Sequence, residues 1–169
     1  IGLVASTFHL GHPLRAWRSA AMWRTSWLSR EIIVLPAFLA CVALWSTMHW
    51  LRGATLGWGL AAAVLALLLY LCTGMIYAAV KAIREWATPL TPWNYALLGM
   101  ASGLMLCTAL AAALAPPLAA ALAMATLVTT LAGGVSRGLT LWRNLTLPPK
   151  TTLQTALGIR HPRIVQTSQ

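Results

Sequence analysis

The stretch LGWGLAAAVLALLLYLCTGMIYAAV, residues 56–80, decides the fold class. No charged side chain interrupts it. A helix rises about 1.5 Å per residue and the hydrocarbon core of a bilayer is about 30 Å thick, so about 20 apolar residues are enough to cross. Inside that core no water satisfies backbone N–H and C=O groups, so a segment of this kind closes its own hydrogen bonds as a helix. A membrane β-barrel would instead need alternating segments of about ten residues, and the chain does not show them.

Working outward, the same pattern recurs on both sides. Residues 81–92 are polar, carry Lys81, Arg84 and Glu85, and include Pro89 and Pro92 near their end. A further span follows at 93–115. Pro116 and Pro117 break it and restart another at 118–135, with an extension to 142. Upstream, 31–50 is a span, and 11–28 is amphipathic, with Arg15, Arg18 and Arg24 interleaved with Trp17, Trp23 and Trp27. Such a mixture suits the headgroup level. Residues 1–10 are apolar but short, as the tail of a span would be. Trp50, Trp86, Trp93 and Trp142 fall at span ends, where aromatic belts form. The expectation is an all-α, polytopic transmembrane helical bundle, a single membrane domain over 1–169. It has about four complete spans and one partial, with a basic tail from 143 to 169. Because the chain opens on Ile1 within an apolar run, it reads as a fragment of a larger protein.

Composition agrees. Hydrophobic residues make up 59% and charged residues 8%, with a mean hydropathy of +0.74, whereas soluble domains are about a quarter charged. The net charge of +10 comes from 12 Lys and Arg against 2 acidic residues. Nucleic-acid binders carry such charge on polar surfaces; here it lies between apolar stretches. Loops 11–30 and 81–92 and the tail share one face, which holds Arg15, Arg18, Arg24, Arg30, Lys81, Arg84, Arg137, Arg143, Lys150, Arg160 and Arg163. The other face holds Arg52. The positive-inside rule makes the first face cytoplasmic, in a bacterial plasma (inner) membrane. Cys41, Cys72 and Cys107 lie inside apolar stretches with no CxxC pair and no nearby His, so they read as small apolar residues and no metal site is expected.

Chemistry concentrates at one membrane edge, where His9 ends one span and Glu31 opens the next. Ser29 is the expected helix N-cap, which would put Glu31 in the first turn. Pro36, within that helix, deprives the carbonyl of Ile32 of its usual donor and makes room for a kink. Ionisable groups at membrane depth are functional candidates, and an imidazole with a carboxylate can hydrogen-bond a quinone ring and exchange protons with it. An interfacial His and a Glu neutralised by arginines is the plainer alternative. Haem ligation is not expected, because His9, His12 and His161 lie on one side and His49 on the other.

The run His9-Leu10-Gly11, Pro13, Arg15-Ala16, followed by Ser26, Leu28-Ser29 and Glu31-Ile32, resembles the DMSO reductase anchor subunit family, the DmsC type. The likeness is dense over these residues and elsewhere lies in the layout of spans. The stretch Gly158 to Pro162 looks like a linker between spans in longer, sulfite-dehydrogenase-like members. The resemblance implies a protein of about eight helices that binds no cofactor itself. It would hold a molybdopterin catalytic subunit and an iron–sulfur electron-transfer subunit at the membrane, and exchange electrons with quinone or menaquinone in an anaerobic or sulfur-compound chain. It assigns quinone binding to His9 and Glu31, with Arg15 at a matching basic position, and no catalytic residue. Arg18, Arg24 and Arg30 would meet acidic lipid or an acidic patch of the iron–sulfur partner. A cytoplasmic position for this loop would favour a cytoplasm-facing complex. Two alternatives stand beside this reading: a multi-span transporter or facilitator, and a purely structural anchor.

Overall fold

The computed structural model describes residues 13–53, 55–148 and 158. The expected partial span at 1–10, together with His9, His12, Lys150, Arg160, His161 and Arg163, lies outside them. Among the described residues all regular structure is helical: a 3-10 helix at Pro13–Ala20, then α1 (Trp27–Arg52), α2 (Leu56–Ala78), α3 (Leu90–Leu114) and α4 (Pro116–Leu145). Each of the four α-helices is long and apolar enough to cross a membrane.

The helix ends follow local chemistry, and two differ from expectation. The N-cap of α1 is Ser26, not Ser29: the Ser26 hydroxyl accepts from the Ser29 backbone N–H at 3.4 Å. Ser29 is itself helical and buried, so Glu31 lies beyond the first turn. The start of α3 is Leu90, before Pro92 rather than after it. A proline in the first turn lacks an N–H that would have had no intrahelical partner there, so it does not delay the helix. Pro116 and Pro117 occupy the first positions of α4 for the same reason. Gly53 ends α1 with φ +82°, its N–H bonded to the His49 carbonyl.

The spans pack in chain order, α1 on α2, α2 on α3 and α3 on α4, with the 3-10 helix against α1. Small residues and hydroxyls set the contacts. The Trp45 ring crosses Gly59, the Tyr70 ring sits on Gly99, and Leu98 packs on Gly133. At Gly74, an added Cβ would lie 2.5 Å from Pro92 Cα. Gly99 is therefore a packing glycine, while Gly103, four residues further along the same helix, faces open space. Between α3 and α4, Thr108 pairs with Thr126 at 3.0 Å and Asn94 with Thr140 at 2.8 Å.

The burial pattern is the reverse of a soluble protein. The buried side chains are Cys41, Ala62, Cys72, Ala101 and Ala111, with Ser29, Thr88, Asn94, Thr126, Ser136 and Thr140. Large apolar side chains are exposed along all four helices, Leu39, Leu67, Leu106 and Leu127 among them. Small and polar residues at helix interfaces with leucines facing outward are what a lipid solvent selects. Cys107 is exposed, unlike the other two cysteines.

Candidate functional site

The start of α1, the end of α2, the start of α3 and the end of α4 meet at one edge of the row. Two arginines show that the last three share it. Arg84, in the turn between α2 and α3, donates to the Pro148 carbonyl at 2.9 Å. Arg143 at the end of α4 donates back to the Arg84 carbonyl at 3.3 Å.

Glu31 is half-buried on α1 and faces α2, where the Thr73 hydroxyl donates to its Oε1 at 2.6 Å. Arg30, its neighbour in sequence, turns the other way. Its Nε donates to the Trp23 carbonyl and its Nη2 to the Arg24 carbonyl, both at 2.9 Å, and its guanidinium lies 4.1 Å from the Trp27 ring centre. Arg30 thus clamps the turn that delivers the chain into α1. Arg24 lies over Trp23 at 5.4 Å. Arg15, Arg18 and Arg24 are exposed, and among the described residues no hydrogen bond joins Arg15 to Glu31. Of the expected trio, the structure places Glu31 inside the helix packing and Arg15 on the outside, while His9 lies outside the described residues.

Beside Glu31 stands a group that reading the sequence missed. Thr73 and Tyr77 lie one turn apart on α2. Tyr77 stacks on Tyr95 of α3 with ring centres 5.5 Å apart and 17° between planes, and meets Trp86 edge-on at 5.4 Å. These rings wall a half-open cavity of about 610 Å³ between α2, α3, α4 and the turn before α3, which Asn94 and Arg137 also line. Tyr70, Thr73 and Tyr77, at helical spacing within an otherwise aliphatic run, are the signal that would have revealed it.

A family model, the DMSO reductase anchor subunit (DmsC), matches residues 1–158. The chain belongs to that family. Among anchor-family relatives it is similar to the C subunit of sulfite dehydrogenase from Allochromatium vinosum, 47% identical over 182 residues, which cover 99% of this chain and 56% of that protein. It is also similar to the C component of the anaerobic dimethyl sulfoxide reductase from Haemophilus influenzae, 30% identical over 116 residues, or 65% of this chain and 40% of that protein. The chain thus spans about half the length of these relatives or less. No solved structure matches it. The expected family and the all-helical membrane fold are both borne out.

Proposed function

We propose that the chain is the membrane anchor and quinol- or quinone-interacting part of a DMSO-reductase-family molybdoenzyme complex in the bacterial plasma membrane. It passes electrons between the quinone pool and an iron–sulfur partner subunit, which hands them to or takes them from a molybdopterin subunit. The observation that carries this reading is the family match over residues 1–158. The Glu31–Thr73 pair at the helix edge supports it locally. The chain's own part is binding and proton handling. Oxidation of a quinol releases two protons with its two electrons, and Glu31 and His9 are the groups we assign to take and return them. Arg15 steadies the site or meets the partner, and Arg18 and Arg24, being exposed, suit acidic lipid or an acidic partner surface.

The test uses single substitutions, Glu31→Gln and His9→Ala, in the full-length complex. Quinol-dependent turnover is expected to fall about a hundredfold, the usual weight of a positioned acid or base. Turnover with a soluble redox dye that bypasses the membrane reports whether the complex has assembled. Full quinol-dependent turnover in both variants would remove these residues from the mechanism.

A further inference from the structure

Arg137 and Glu85 are opposite charges that line the cavity between α2, α3 and α4 and do not pair with each other. Both are exposed, and among the described residues neither has an ion-pair or hydrogen-bond partner. Arg84 and Arg143, at the same edge, instead donate to the carbonyls of Pro148 and Arg84. Arg137 lies about two turns before the end of α4 at Leu145, roughly 12 Å along the axis. It therefore stands within the stretch that is long and apolar enough to cross the membrane. A guanidinium at that depth is costly unless an anion meets it. Glu85 lies in the turn before α3, which Arg143 ties to the end of α4. The backbone of Glu85 thus stands further out than that of Arg137.

A cation on the hydrocarbon side and an anion on the outer side call for a ligand with the reverse order of charge. Phosphatidylethanolamine has it: a phosphate next to the glycerol and a primary ammonium at the outer tip. A guanidinium binds phosphate oxygens through parallel N–H bonds, and an ammonium donates to a carboxylate. Trp86, beside Glu85 in the same turn, also lines the cavity, and an indole face attracts a cation. Leu98, Gly99 and Ser102 continue the lining along α3 towards the middle of the span, the direction in which acyl chains leave the headgroup. The volume, about 610 Å³, lies within the range of small-molecule sites. Phosphatidylglycerol answers Arg137 but brings no cation to Glu85. Free phosphate has the same lack and nothing for the apolar lining, and a quinol ring, being uncharged, neutralises neither residue.

We propose that this cavity holds a phosphatidylethanolamine molecule, its phosphate bound by Arg137 and its ammonium by Glu85. The site stands apart from the quinone reading above and uses none of its residues. Its occupant joins α4 to the turn before α3, alongside the bonds that Arg84 and Arg143 make there.

The experiment titrates the full-length complex, stripped of lipid by detergent exchange, with phosphatidylethanolamine or phosphatidylglycerol and reads the first lipid bound by native mass spectrometry. The unaltered complex is expected to bind phosphatidylethanolamine about tenfold more tightly than phosphatidylglycerol. Glu85→Gln should abolish that preference, and Arg137→Gln should weaken both lipids about tenfold. Equal affinity for the two lipids in the unaltered complex overturns the proposal, as does a preference that survives Glu85→Gln or binding that is unchanged in Arg137→Gln. Two competitors are then added to the lipid-bound complex. Displacement by inorganic phosphate would reduce the cavity to a simple anion site, and displacement by a short-chain naphthoquinol would give it to the quinone. Either result overturns the proposal, and retention of the lipid against both supports it. Both substitutions fall at exposed positions, and turnover with the soluble dye reports that each variant has assembled.

Discussion

At the scale of residues, the membrane edge is organised by hydroxyls and an amide more than by charge pairs. Glu31 is held by Thr73 at 2.6 Å, while Arg30, adjacent in sequence, spends its donors on the carbonyls of Trp23 and Arg24. Replacing Thr73 with Val keeps the shape and removes the donor. Its expected cost is roughly 1–3 kcal/mol of stability, read as a lowered unfolding midpoint in detergent, with a smaller loss of quinol-dependent turnover than in Glu31→Gln. A Thr73→Ser variant, which keeps the hydroxyl, should recover most of both. Equal losses in the Val and Ser variants would show that the methyl group matters and the hydrogen bond does not. Glu31 was legible in the sequence because a carboxylate beside an apolar run is rare. Thr73 was not, because threonines bonding back into their own helix are common here, as Thr47 and Thr129 do, and sequence does not distinguish them from one that reaches across.

At the scale of elements, the spans were legible to within a few residues and their contacts were not. Length and apolar composition fix a crossing helix. Its ends depend on which of two nearby serines caps it and on whether a proline falls in the first turn, and those choices put the starts of α1 and α3 earlier than the hydropathy pattern does. The contacts depend on which glycine meets a neighbour. Gly99 and Gly103 look alike in sequence, but the Tyr70 ring covers one and nothing covers the other. Gly74, which no motif singles out, lies directly against the backbone of α3 at Pro92. Gly74→Ala forces a methyl group against backbone and is expected to destabilise by about 1–3 kcal/mol. Gly103→Ala should be neutral or stabilising by up to about 1 kcal/mol, since alanine is the better helix former. Thermal unfolding of both variants in the same detergent checks the contrast, and equal effects would show that the α2–α3 contact is looser than described.

At the scale of the whole molecule, the Arg84–Pro148 and Arg143–Arg84 bonds put the turn before α3 and the end of α4 on one edge. That is the shared side on which the sequence places nearly all of its positive charge. A reporter inserted in the turn at 81–89 is expected to be active in the cytoplasm, and one inserted after Gly53 only outside it. The opposite pattern would reverse the orientation and place the Glu31 edge on the far side of the membrane. The cavity was hidden from sequence at this scale because its walls come from three helices and a turn that lie far apart in the chain. The packing of every span on its neighbour in sequence has a consequence for how the protein is made. Each helix meets its partner as soon as the next one leaves the ribosome, across a loop too short for closure entropy to be a serious barrier. The described row can therefore be laid down hairpin by hairpin in the order of synthesis, each of its spans packing on the one made before it.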